Sequence, residues 1–319
     1  MVLIGLPLLS YLSFKVYIHY KVSDFLDTLT ESASAEVKLD YGWVSSSIGG
    51  SAGLKDVRLL IKRTGDEIFI DSIEVDAGSL EDLMKLSTKQ RGRQVPKQLS
   101  IRLRGLAVDF YSEYYKALET QLDEYVPKPG TPMVECGDIN PYGIRHFREL
   151  GYDGAKIDLE IGYKILENST VALIVNVVID DMQSYLSAVK YDFEEGFNNP
   201  LMALLTDSSP KIQSANVRLT DLSYNKKLLD YCSFHSKKSR PEILQQLVEL
   251  LEFQIMRTLE IDSDFDFGET ERNHLKQYFL NSRALNIQIN PRDPIDLKYL
   301  KFYKPKDIPF ILNLKLESL

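Results

Sequence analysis

The sequence predicts an α+β protein: an N-terminal membrane helix followed by long, mainly antiparallel, twisted sheets with inserted helices. Three observations carry that prediction. The first twenty residues are almost wholly apolar. Segments that alternate apolar and polar residues then recur along most of the chain. Segments of helical period fall between pairs of these, and strict alternation gives each sheet one dry and one wet face.

"MVLIGLPLLSYLSFKVYIHY" is apolar from Val2 to Phe14, is interrupted by Lys15 and resumes to Tyr20. A helical span needs ~20 residues, so this segment crosses a bilayer only with Lys15 snorkelling or near an interface. Tyr11, Tyr17 and Tyr20 suit an aromatic belt. No Lys or Arg precedes the run, which a start codon placed too late would explain. The leading reading is an uncleaved single-pass anchor. A signal peptide is one alternative, although Ala33-Ser34-Ala35 lies too far past the apolar run for ordinary cleavage, and a buried helix is the other. Val22, Phe25, Leu26 and Leu29 share a helical face that continues the anchor to about Ser32.

Alternation then takes over. In "AEVKLDYGWV", Val37, Leu39, Tyr41 and Trp43 point one way, Lys38 and Asp40 the other. Leu54, Val57, Leu59 and Ile61 make a second strand; Ile68, Ile70, Ile73 and Val75 make a third. Ser79 caps a short helix from Leu80 to Leu86, with Asp82 in the capping-box position. "LSIRLRGLAVDF" is a strand, and Tyr114, Leu118 and Leu122 share a face of the helix after it.

"VPKPGTPMVECGD" is a Pro/Gly loop and the best candidate linker. Pro141 to Leu150 has a helical pattern. "AKIDLEIGYKILENSTVALIVNVVIDDM" forms a hairpin joined near Glu167-Asn168, with Ile157, Leu159 and Ile161 inward. Its second arm is half the length of a span and rich in β-branched residues, hence a buried strand. "MQSYLSAVKYDF" fits a strand or a short helix. "SANVRLTDLSY" and "NKKLLDYCSFH" repeat the strand-then-helix order. Ser239 caps an amphipathic helix from Pro241 to Leu259, with Glu242 at N3 and Ile243, Leu247, Leu250, Leu251 and Ile255 on its apolar face. A helix from Glu269 to Leu280 and the strands "ALNIQINP" and "PFILNLKLES" complete the chain. Three regions follow: 1–32 as anchor and extension, 33–126 as a β-rich subdomain, and 127–319 as an α+β subdomain.

The motifs that resemble chemistry each have a plainer reading. Gly49 to Gly53 spells G-x-S-x-G around Ser51. A nucleophile elbow is a strand-to-helix turn, whereas the residues after Gly53 have period 2, so the glycines mark a turn between strands. "DSDFDFGETERN" places Phe267 where an EF-hand needs Gly and Asn273 where it needs Glu. Ser187-Ala188-Val189-Lys190 matches S-x-x-K without its partner motifs. Asp180-Asp181 ends a strand and reads as a turn. His19, His146, His235 and His274 have no metal-ligand spacing. Asn168-Ser169-Thr170 is a glycosylation sequon that matters only in a eukaryotic secretory pathway. With no P-loop, Rossmann fingerprint or metal box, the sequence assigns no catalytic residue, no cofactor and no metal.

A net charge of −8 argues against a nucleic-acid partner. The one basic run, Lys89 to Lys97, contains Gly92 and Pro96 and reads as a solvated loop. Cys136 and Cys232 lie in no C-x-x-C. In a reducing compartment they are two buried thiols; in an oxidising one they can pair, closing a long loop.

"YGWVSSSIGGSAG", "LKDVRLLIK" and "IFIDSIEVDAGSLEDLMKL" resemble a pattern in anchored bacterial envelope proteins of the AsmA-like and YdgA-like groups. That pattern is a membrane helix, a strand ending in a Ser/Gly turn, "L-x-x-V-x-L" strands, and an "I-D-S-I" strand entering a Ser-capped helix. The resemblance covers roughly Met1 to Leu86. It implies an inner-membrane anchor, a periplasmic body and a sheet with a greasy concave face, which in AsmA-like members is linked to phospholipid traffic.

The sequence thus leads to a non-enzymatic, single-pass inner-membrane protein with a periplasmic body and a Cys136–Cys232 disulfide. Its role is envelope maintenance, its partners being inner-membrane lipid or another hydrophobic ligand, or other envelope proteins. An envelope hydrolase of unrecognised type and a cytosolic interaction protein are the alternatives.

Overall fold

The computed structural model describes residue 20 and residues 37–47, 49–87, 96–123, 131–137, 145–166, 170–193, 210–258, 267–281 and 283–319. Twelve strands occur among them: β1 (Val37–Asp40), β2 (Trp43–Ser46), β3 (Ser51–Ile61), β4 (Glu67–Asp76), β5 (Gln98–Asp109), β6 (Gly154–Ile165), β7 (Thr170–Ile179), β8 (Gln183–Asp192), β9 (Lys211–Asp221), β10 (Ala284–Ile289), β11 (Ile295–Asp296) and β12 (Lys315–Ser318). Their hydrogen-bonded order is β1-β3-β4-β5-β6-β7-β8-β9-β10-β12, with β2 also on β3 and β11 on β9. The helices are α1 (Leu80–Ser87), α2 (Glu113–Asp123), α3 (His146–Glu149), α4 (Tyr224–His235), α5 (Arg240–Thr258), α6 (Glu269–Leu280) and α7 (Ile308–Leu312).

This corrects the expected fold class. Among the described residues strand exceeds helix, 43% to 32%, in a large antiparallel sheet of 12 strands. Among the described residues no helix is long and apolar enough to cross a membrane. The proposed anchor, residues 1–32, lies outside the described residues apart from Tyr20. The physical reason for one sheet is that the inserted helices are excursions and not layer breaks. The chain leaves β4 for α1 and returns to pair β5 with β4; it leaves β9 for α4, α5 and α6 and returns to pair β10 with β9. Antiparallel neighbours need no crossover, so each excursion ends beside the strand it left.

The chain divides into two compact units. One holds the described residues up to Val108 together with Lys156–Lys164; the other holds Asp109–Ala155 and Ile165–Leu319.

In the first unit, Leu54, Val57 and Ile70 form the core, with Leu39, Val44, Leu59, Ile68, Ile73, Leu103 and Leu106 packed on it. Leu54 and Val57 are three residues apart, as are Ile70 and Ile73, and Leu103 and Leu106. Alternation would send each pair to opposite faces. A crease between them restores one face: Asp56 has φ 52° and Gly105 φ 64°, while the β3–β4 and β4–β5 registers continue unchanged across it. The Gly-rich stretch joins β2 to β3. Gly50, with φ 92°, has room for no side chain, since a Cβ there would lie 2.2 Å from the Ser79 carbonyl carbon. Ser79 Oγ accepts from the Asp82 N–H at 3.1 Å, capping α1.

In the second unit, α6 lies on the face that carries Leu285, Ile287 and Leu316, because His274 Nδ1 is 3.0 Å from Ser318 Oγ and Ser318 opposes Leu285. Ile243, Leu247 and Val248 of α5 and Leu275 of α6 are fully buried. Glu242 accepts from both the N–H and the Oγ of Ser239, closing the α5 capping box. Cys136 and Cys232 form a disulfide across 96 residues. Around it Val134 is buried, the Glu135 N–H donates to Gln246 Oε1 at 2.9 Å, and Glu135 pairs with Lys238 at 2.9 Å.

Candidate functional site

Two transverse aliphatic rows cross the sheet of the first unit. Cross-strand partners Ala52, Val75 and Ile101 form one; Leu54, Ile73 and Leu103 form the next. The opposite face sets where β6 joins them. There Arg102 pairs with Glu160 at 2.9 Å and Arg104 with Asp158 at 3.8 Å. Alternation along β6 therefore places Leu159 and Ile161 on the aliphatic face, extending the rows. The charged face is self-satisfied: the hydrogen bond to Glu160, with Asp76 and Glu74 also near, raises the Arg102 guanidinium above its ordinary range.

One end of the aliphatic face is closed. Beyond Val75, Ala77 is buried, and Tyr163, two residues beyond Ile161, donates its hydroxyl to the Pro96 carbonyl at 3.1 Å. Burial, with Asp82 nearby, pushes the Tyr163 phenol up to about 12. The middle is not closed. Ile101 and Ile161 are each 49% exposed, although both occupy positions that the pleat dedicates to a dry face.

In the second unit both faces of β7 and β8 carry apolar residues, Ile174 and Leu186 being exposed on one of them. Leu173, Val175, Val177 and Ile179 share one face of β7, opposite Val189, Ser187, Tyr185 and Gln183 of β8. Helices cover this face at β10 and β12, where Leu285 and Leu316 are buried, while the β7 residues are only half-buried.

The polar groups pair with one another. An open cleft of about 570 Å³ is lined by Tyr111, Glu119, Thr120, Arg145, Arg148 and Glu149. Arg148 Nη2 donates to both oxygens of the buried Glu119 carboxylate, at 2.7 and 2.6 Å, with its guanidinium 5.7 Å from the Tyr111 ring centre. Arg145 lies 3.7 Å from Glu149. Nearby, His146 Nε2 meets the Tyr224 hydroxyl at 2.9 Å, and burial pushes that phenol upward. Tyr152 and Ser223 share a 2.7 Å hydrogen bond. Asp221 caps α4 by accepting the Asn225 N–H at 2.8 Å, and burial raises its carboxyl despite that bond. These contacts orient helix ends against strands.

The structure disperses the sequence candidates. Ser51 opens β3 opposite Asp76, strand and not elbow. Ser187 is buried on the apolar face of β8, and Lys190, three residues on, points to the other face. Asp181, with φ 60°, turns β7 into β8. His235 stacks on Tyr231, and His274 holds Ser318. Asp262 to Asp266 of the EF-hand-like stretch, and His19, Asn168 and Ser169, lie outside the described residues. No group of three metal-ligating side chains occurs among the described residues. Alternation alone does not reveal the joined rows. The usable signal is the three-residue spacing repeated at Leu54/Val57, Ile70/Ile73 and Leu103/Leu106, which demands a shared crease.

Residues 164–318 match the model of a family described as "Uncharacterized protein". That stretch nearly coincides with the later segment of the second unit, Ile165–Leu319. No curated protein and no solved structure is similar to the chain.

Proposed function

We propose that this is a non-enzymatic envelope protein whose body works outside the cytoplasm, where it binds a lipid or another hydrophobic ligand on its aliphatic sheet faces. The observation that carries the reading is the half-exposed row at Ile101 and Ile161. An antiparallel sheet can leave one face to water, but that face is then polar. Here the polar face is the other one, built from Arg102, Arg104, Glu74, Asp158 and Glu160. The Cys136–Cys232 disulfide supports an oxidising compartment, and the AsmA-like resemblance in the first quarter of the chain agrees with an inner-membrane location.

The test is to express the full chain with export, purify it in mild detergent, and extract bound lipid for mass spectrometry. The reading expects a stoichiometric lipid that the Ile101→Glu/Ile161→Glu double variant loses. Phe69→Glu is the control, since Phe69 lies on the opposite face under Arg58. No lipid in the native protein, or equal lipid in all three, defeats the reading. Recovery of the protein in the cytosol with two free thiols defeats the location.

A further inference from the structure

We propose that the segment from Leu297 to Phe310 docks the second unit onto the surface of an anionic bilayer, independently of what the sheet faces hold. The segment is "LKYLKFYKPKDIPF". It forms a 3-10 helix (Leu297–Phe302), a 3-10 turn (Pro305–Asp307) and the start of α7. Leu300, Ile308 and Leu312 are buried and fix the run to the body. With those inside, the aromatics are left outside. Phe310 is 90% exposed and Phe302 73%, and Tyr299 and Tyr303 are exposed too. Asp296 caps the first turn by accepting the Lys298 N–H at 3.0 Å, so the outward placement is built in and is not a frayed end.

Four exposed aromatics within twelve residues exceed the scattered apolar exposure usual for a protein surface. The charge selects the occupant. Lys298, Lys301, Lys304 and Lys306 against Asp307 give this segment +3. Lys298 Nζ pairs with the buried Asp296 at 2.8 Å, so with Asp296 included the patch carries +2, in a chain whose net charge is −8. A basic run interleaved with Phe and Tyr matches the chemistry of an anionic headgroup layer. Rings settle at the interface, lysine stems lie along the apolar boundary, and ammonium groups meet phosphates. Lys304, just before the turn, and Lys306, within it, are exposed between Phe302 and Phe310.

A position-specific reporter tests this in the full chain, whatever the N-terminal segment does. Trp43 is the sole tryptophan, so Trp43→Phe/Phe310→Trp gives one emitter at the patch. The proposal expects a blue shift on adding phosphatidylglycerol-containing vesicles and none with pure phosphatidylcholine. Adding Lys304→Glu/Lys306→Glu raises the lipid concentration for half-saturation about 30-fold or more, from about fivefold per lysine near an anionic surface. Circular dichroism confirms that the variants stay folded. An equal shift with both vesicles, or a shift indifferent to the charge reversal, overturns the proposal. No shift with either vesicle also overturns it and leaves the patch to a protein partner.

Discussion

Replacing Cys136 and Cys232 together by serine removes the covalent tie between residues 131–137 and α4. In the unfolded chain that tie closes a loop of 96 residues. The chain-entropy relation gives about 4.7 kcal/mol for a loop of that length. Against a typical total stability of about 5–15 kcal/mol, this is a large share. Both sulfurs are buried, at 2% and 0% exposure, so two hydroxyls placed there gain no hydration to offset the loss. Urea unfolding followed at 222 nm reads the result, because α2 to α7 all belong to the second unit. With an m-value of about 3 kcal/mol per molar, the midpoint falls by about 1.6 M. Reduction of the native protein produces the same shift. A fall below about 0.3 M refutes the reasoning. It would mean that Val134 and the Glu135 contacts to Gln246 and Lys238 hold the segment without covalent help.

Two further predictions concern backbone and burial. Gly50→Ala destabilises by about 2–4 kcal/mol in thermal or urea unfolding, because positive φ adds to a contact 2.2 Å from Ser79. Gly65→Ala, at φ 78° with nothing within 4 Å, costs only about 1 kcal/mol, and equal losses would disprove the steric argument. Tyr163 and Tyr278 are each pushed up to about 12 by burial, above the 10.0 of a free phenol. Their folded state resists ionisation, so their contribution to stability is intact below pH 10 and fades as pH rises towards 12. Absorbance at 295 nm should show exposed tyrosines ionising first, and these two only as ellipticity collapses. A single phase near pH 10 with the fold intact would contradict it.

Much of the local structure is legible in single residues. Period-2 runs mark β3 to β7 and β9, while β8 reads equally as strand or short helix; Ser79 and Ser239 mark where α1 and α5 begin; Gly49 and Gly50 mark a turn. These depend on steric and hydrogen-bonding preferences within a few residues, which a sequence states directly. The apolar character of Val75, Ile101 and Ile161 is equally plain, but their alignment into one row is not. It requires the β4–β5 register and the ion pair of Arg102 with Glu160, 58 residues apart. The exposed patch near the C-terminus shows the same limit: Leu300 and Phe302 look alike in sequence, and only packing buries one and exposes the other.

Local sequence patterns therefore set most of the strands and helices, the glycine turn around Ser51, and the two cysteines available to pair, but they left β8 open between strand and helix and read Pro309 to Leu312, which lie in α7, as strand. The tertiary structure decided that the strands form one antiparallel sheet, because whether a helix separates two layers or loops out and back depends on where its buried face finds a partner. It also decided which apolar residues stay half in water, since exposure is a property of what covers a side chain and not of the side chain itself.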